Sequence, residues 1–322
     1  MDNQVYACYL KNEEDLNKSS SGGAYTAISN AILEKGGTII ACGYDYKNHS
    51  LQFIAVNDIE GRNQTRGSKY IQADARDLYR LLEVQLRMGG SAPIMVVGTP
   101  CQISGTKLWL QNKKIISERK VIFCDLLCHG TSSPAMWKKY ILSLEEKYHS
   151  KFCFITFKDK EKGWIRPTAK GTLINGDTVL LEDYAILYRS DDFMRESCYV
   201  CPFATTNRNT DITIGDFWNI GNVNPEFMNK QGTSMVIVHS EIGKEIFQDA
   251  LKYLYTWEST IEDAMQHNMH TSTQKKKRFN AIRSDYRKKG LDYVIKKYVY
   301  YGSDNILIRR IRRKIMRMKY GE

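Results

Sequence analysis

The chain has 322 residues, 42% apolar and 26% charged, an ordinary globular composition long enough to bury a sizeable core. It has no run of about 18 apolar residues, and its first residues lack the basic end and apolar stretch of a secretion signal, so a cytoplasmic protein is expected. The formal charge of +11 is uneven: residues 275–322 carry 17 Lys and Arg against 4 Asp and Glu, and the rest carries 30 against 32, which argues against a nucleic-acid surface on the body.

The chain opens with a strand pattern over 5–10, then a polar loop ending in Ser19-Ser20-Ser21-Gly22-Gly23 and a helix over 24–34. Gly36-Gly37 stops that helix, and a strand resumes over 38–44. A serine- and glycine-rich turn feeding a helix can offer backbone N–H groups to an anion, or can simply be an N-cap with a flexible approach. Residues 52–56 read as a strand and 73–88 as a helix. The run Ile94-Met95-Val96-Val97 has the texture of a buried parallel strand, and it empties into Gly98-Thr99-Pro100-Cys101-Gln102 before a helix over 103–111. Residues 121–127 repeat the arrangement, leading to Cys128-His129-Gly130 and a helix through Trp137 and Tyr140. Cys101 and Cys128 therefore fall just beyond strand ends, where open α/β sheets hold their ligands.

From about residue 152 the texture changes to strands over 152–157 and 171–181, the latter turning at Asn175-Gly176. Cys198-Tyr-Val-Cys201-Pro202 follows, then Asp211-Ile-Thr-Ile-Gly215-Asp216-Phe217-Trp218, a strand over 234–238 and, by expectation, helices in the remainder. The predicted fold is α/β (α+β): a mixed sheet core with strand-end cysteine loops over 1–150, a β-rich part over 151–270 and a basic helical tail over 271–322.

Eight cysteines in a chain expected to stay in a reducing compartment point to metal ligation or catalysis, not disulfides. Two thiolates separated by two residues can bind one metal centre, and a proline after the second occurs in ferredoxin cluster motifs. With Cys101 and Cys128, the pair Cys198 and Cys201 makes a four-thiolate set that suits an iron–sulfur cluster. Zinc is the competing reading, although zinc ribbons usually pair two CxxC motifs and this chain has one. A redox CxxC is the third. Cys8, Cys42, Cys124 and Cys153 sit in apolar strand-like runs and read as core residues.

Ser21-Gly22-Gly23, Gly67-Ser68-Lys69-Tyr70, Gly98-Thr99-Pro100-Cys101-Gln102, Cys128-His129-Gly130 with Ser133-Pro134, Lys162-Gly163-Trp164, Cys198-x-x-Cys201 and Asp211 to Trp218 occur in this order. In this the chain resembles the beta-subunit family of coenzyme F420 hydrogenases and dehydrogenases, from about residue 19 to 239. The resemblance implies FAD beside a [4Fe–4S] cluster on Cys101, Cys128, Cys198 and Cys201. It also implies that Ser21, Gly22, Gly23, Gly67, Ser68, Lys69, Tyr70 and Gln102 hold the flavin, with Lys69 as a fixed positive charge. His129 is the candidate proton donor, or a hydrogen-bonding support for the cluster. Relatives pass electrons between iron–sulfur partners and a hydride acceptor, a deazaflavin in archaeal hydrogenases and a chlorophyll derivative in a plant reductase. Many begin with a ferredoxin-like segment that this chain lacks, which implies a separate ferredoxin or an iron–sulfur partner subunit as electron donor.

The tail falls outside the resemblance. Over 307–318 Ile308, Ile311, Ile315 and Met318 share one stripe, with arginines and Lys314 around them. This fits either a solvated helix covering part of the core or peripheral contact with an anionic membrane, the latter in keeping with a small-molecule or lipid-linked substrate in surface-polysaccharide metabolism. Nucleic acid is disfavoured, because the tail lacks interleaved aromatics at motif spacing.

Overall fold

The computed structural model describes residues 3–113, 115–303 and 306–320; the outermost residues of the expected segments 1–150 and 271–322 lie outside these. An eight-stranded mixed sheet forms the centre. Its strands are β1 (Gln4–Leu10), β2 (Thr38–Asp45), β3 (Ser50–Val56), β4 (Ile94–Gly98) and β5 (Val121–Leu126), and, beyond a second sheet, β9 (Ile212–Asp216), β10 (Ser234–Val238) and β11 (Leu254–Ser259). The spatial order is β11-β1-β10-β9-β5-β4-β2-β3. The middle four strands, β9, β5, β4 and β2, are mutually parallel, and the flanking pairs are antiparallel. Parallel strands covered on both faces need apolar side chains throughout, which is why all five residues of β4 are buried.

The second sheet is the antiparallel meander of β6 (Phe152–Asp159), β7 (Thr168–Leu173) and β8 (Thr178–Leu180). The mixed α/β class with strand-end cysteine loops and a helical C-terminal region is the architecture expected from the pattern. The large sheet takes strands from both sides of residue 150, because β9 and β10 pair back beside β5 and β1.

Three local expectations need correction. Residues 254–259 form an edge strand, β11, instead of a helix: with Tyr255 and Thr256 exposed and only Leu254 fully buried, an edge position leaves little periodicity to read. The helix expected over 103–111 begins at Pro100, so Cys101 lies in its first turn and not in the loop before it. Cys153 is exposed instead of buried, because β6 slips register against β7 between Phe152 and Phe154 and turns the intervening residue outward. Cys8 and Cys124 are buried, as expected.

Candidate functional site

The carboxyl ends of β4, β5 and β9 open into a cavity of about 870 Å³. The end of β1 and the start of β10 lie at the same edge, since Cys8 pairs with Ser234 and Ser234 with Asp216. Five loops separated by up to about two hundred residues are thereby gathered around one space, as the crossover geometry of open α/β sheets favours.

On one side of this cavity lies the N-terminus of the Ala24–Glu34 helix. Its N-cap is Gly23, which has no side chain to bond the first N–H groups, and Gly23, Ala24, Tyr25 and Thr26 all line the cavity. Uncapped N–H groups and the helix dipole favour an anion there. The approach loop is firmly held. Ser68 N–H donates to Ser20 Oγ at 2.7 Å, joining the two glycine-containing loops, and Ser21 Oγ donates to Thr233 O at 3.0 Å. Lys160 Nζ bonds the carbonyls of Leu16 and Ser21 at 2.6 and 3.2 Å, and burial draws its pKa down to about 8. Arg66, itself on the cavity wall, donates to Thr26 Oγ1 at 3.2 Å, and buried Arg62 donates to Thr26 O at 3.3 Å.

Two expected contributors work differently from their sequence reading. Gly22 is not on the cavity wall: a Cβ there would stand 2.2 Å from Cys8 O and 2.5 Å from Ser234 N, so glycine is needed for the loop to close against β1 and β10. Lys69 does line the cavity, but its ammonium bonds the carbonyls of Thr65, Arg66 and Gly67 at 2.9 to 3.1 Å. It holds the end of the preceding helix, and burial lowers its pKa.

The four cysteines lie on the other side. Cys101, Cys128, Cys198 and Cys201 all line the same cavity. The turn that carries Cys101 is set by Gln102: Thr99 donates both its backbone N–H and its hydroxyl to Gln102 Oε1 at 3.0 Å, and Thr99 Oγ1 lies 3.2 Å from the Cys101 sulfur. Gly130 lets the Cys128 loop approach the CxxC segment, since a Cβ there would stand 2.1 Å from the Met194 sulfur and 3.3 Å from Cys198 Cβ. Burial pushes the Cys128 thiol up to about 12, and the other three cysteines contribute to the rise. Cys201 is raised by burial and by Cys101 and Cys198, while the Phe203 amide and Arg208 pull the other way. Among the described residues no three His, Cys, Asp or Glu side chains converge on a point that would hold one metal ion.

Arg208 ties the CxxC loop to the sheet. Its Nη1 bonds Asp125 Oδ2 at 3.2 Å with both side chains almost wholly buried, Asp125 also accepts from Thr213 at 2.6 Å, and Arg208 Nη2 is buried without a hydrogen-bond partner. Between the two sides stand the residues that sequence reading missed or undervalued. Lys158 of β6 is ion-paired with Asp216 at the end of β9, and its ammonium lies 5.3 Å from the Trp218 ring centroid. Burial opposes its charge, but Tyr70 and Asp216 outweigh that and hold its pKa above the ordinary lysine range. Trp218 stacks flat on Trp164 at 4.8 Å, and Trp164 Nε1 donates to Asp216 Oδ1 at 2.7 Å. Tyr188 stacks on Tyr70 at 4.5 Å and donates to Gly130 O at 2.9 Å. His129 lines the cavity edge-on to Tyr188, and burial together with Lys158 and His267 lowers its pKa to about 4. Cys42, expected in the core, is half-buried on the cavity wall, where burial raises its thiol to about 11.

Residues 92–264 match the C-terminal region of the coenzyme F420 hydrogenase/dehydrogenase beta subunit. The chain belongs to that family. A chain of the F420-reducing [NiFe] hydrogenase complex from Methanosarcina barkeri, from a xenon-derivatized structure, shares the fold with a TM-score of 0.55 and 19% identity, over 80% of this chain and 82% of that one. No curated protein sequence matches the chain. The matched span takes in all four cysteines and the Lys158–Asp216 pair, and leaves out the serine-rich loop and the basic tail. No helix among the described residues is long and apolar enough to cross a membrane.

Proposed function

We propose that the chain is a flavin- and iron–sulfur-dependent oxidoreductase subunit, and the observation that carries this is the joining of an anion-accepting helix N-terminus and four cysteines in one cavity of about 870 Å³. The residues present suit both groups. For the flavin, the Ser19–Ala24 loop and the adjoining helix N-terminus, flanked by Arg66, would take the phosphates, and the partly apolar wall near Tyr70 and Tyr188 would take the ring system. For the cluster, Cys101, Cys128, Cys198 and Cys201 would be the ligands. A single zinc on the same four thiolates is the competing reading. A cluster bonds each thiolate to a different iron and so accepts a wider set, and the unpartnered Arg208 Nη2 near Cys201 suits a negatively charged group.

When bound, a flavin supplies hydride chemistry and the cluster supplies single-electron transfer. The protein's own contribution is positional. The Lys160, Ser20 and Ser21 bonds keep the loop in its anion-accepting shape. Trp164 and Trp218 cover the Lys158–Asp216 pair and limit access of water. Lys158 presents a held positive charge beside Tyr70 at the cavity wall. His129 lies edge-on to Tyr188, where it would support its loop or serve as the proton donor.

The electron donor in this reading is a ferredoxin or an iron–sulfur partner subunit, and the substrate is a small or lipid-linked hydride acceptor, with surface-polysaccharide metabolism as its setting. The family match favours the deazaflavin F420 as the first acceptor to try. Anaerobic purification followed by absorption spectroscopy and iron, zinc and flavin quantification is the decisive test: flavin bands with broad iron–sulfur absorption are expected, and a colourless protein with one bound zinc overturns the reading. Turnover of the deazaflavin with reduced ferredoxin then selects among acceptors, and its absence removes that one.

A further inference from the structure

The C-terminal helix Ile306–Tyr320 has seven Lys and Arg and no acidic residue. At 100° per residue its side chains divide into three faces. One face is moored to the body: Met316 packs against the main core, Arg309 lies 4.6 Å from the Tyr300 ring centroid, and Arg312 Nη1 donates to Gly302 O at 2.7 Å. The second is the aliphatic stripe of Ile308, Ile311, Ile315 and Met318, which the sequence could equally have buried. It lies open to solvent, with Ile311 61% and Met318 65% exposed. On the third face Arg310, Arg313, Lys314 and Arg317 are exposed.

We propose that this helix docks the protein on an anionic lipid surface, with the stripe lying among the acyl chains and the cations among the headgroups. Four large apolar side chains in line on a helix that also carries seven cations are costly to leave in water, and they require a cover. Charge selects the cover. The helix carries +7 of the net +11, with 40 basic against 36 acidic residues elsewhere, so most of the net charge sits where the apolar stripe is. A second copy would bring seven positive charges against seven. A protein partner is usually anchored by aromatic side chains in pockets, and this stripe is wholly aliphatic and thioether. A nucleic acid would satisfy the arginines and leave the stripe wet. A bilayer bearing acidic headgroups satisfies both at once, without specific hydrogen bonds. The mooring through Arg309, Arg312 and Met316 holds the helix to the body while its stripe remains available.

The test is vesicle flotation of the full-length protein, with vesicles of phosphatidylcholine plus phosphatidylglycerol against phosphatidylcholine alone. Binding is expected only to the anionic vesicles and should fall as salt is raised. The variant Ile311→Asp with Ile315→Asp changes only exposed positions and should reduce the partition coefficient by about 100-fold. The triple variant Arg310→Gln, Arg313→Gln and Arg317→Gln keeps helix-forming residues and should reduce it by about 100-fold as well. Circular dichroism checks that each variant keeps its helix content. Equal binding to neutral vesicles, no binding to either kind, or binding unaffected by both variants overturns the proposal. So does a stripe covered by a second copy, seen as a dimer that the Ile311→Asp and Ile315→Asp variant dissolves, or a preference for duplex DNA over the anionic vesicles.

Discussion

The molecule uses its basic residues in two contrasting ways. Around the cavity Arg62, Lys158, Lys160 and Arg208 are buried and bonded to named partners, within a body whose formal charge is close to zero. On the C-terminal helix Arg310, Arg313 and Arg317 are exposed, and they add three charges to the net +11 without holding any part of the fold in place. Net charge is therefore a poor guide to where cations matter. In the low-dielectric interior a charge without its partner is expensive and acts as a structural tie, whereas at the surface solvent screens it and its role is to attract.

This contrast can be broken by measurement. The largest effect is expected at the cavity thiols. Cys198→Ser should abolish iron–sulfur absorption and drop iron from about four per chain to less than one after anaerobic reconstitution, whereas Cys153→Ser, outside the cavity, leaves both unchanged. Equal losses from the two would undo the ligand assignment. Next comes Arg208→Leu, which leaves Asp125 buried and unpaired and should cost about 3–5 kcal/mol in urea unfolding. Gly22→Ala forces a methyl group against the Cys8 and Ser234 backbones and should cost about 3 kcal/mol in the same measurement. At the small end, Gln102→Ala removes the acceptor of the Thr99 N–H and hydroxyl before Cys101 and costs about 1 kcal/mol, and Arg313→Gln shifts stability by less than about 0.5 kcal/mol. If Arg313→Gln proves as costly as Arg208→Leu, the division into structural and surface cations fails.

Legibility from sequence followed how local each cause is. Residues 24–34 and 234–238 were readable to the residue, because a glycine-bounded helix and a short β-branched run carry their own boundaries. Thr99-Pro100-Cys101-Gln102 contained a further readable signal: a threonine followed three residues later by glutamine is a helix-start signature, and the proline fits the first helical position. Reading it would have put Cys101 inside the helix and assigned Gln102 to the turn. Lys69 misled because a lysine beside glycine and serine suggests a free cation, and nothing local indicates that three carbonyls four or fewer residues upstream will surround it. Lys158 was invisible for a different reason. A lysine in a strand reads as solvent-facing, and the register slip in β6 had already blurred the alternation around it.

By itself, then, the sequence determined the central strands and the helix over 24–34, the strand-end location of two cysteines, the CxxC pair and the separation of a near-neutral body from a basic tail. Those features depend on side-chain periodicity and on steric rules that operate within a few residues. Only the tertiary structure decided that four cysteines spanning a hundred residues and a helix N-terminus eighty residues earlier share one cavity, that Lys158 meets Asp216, and that the tail's aliphatic stripe is left outside. Each of these depends on which strands pair and which faces pack, and pairing is a property of the whole sheet.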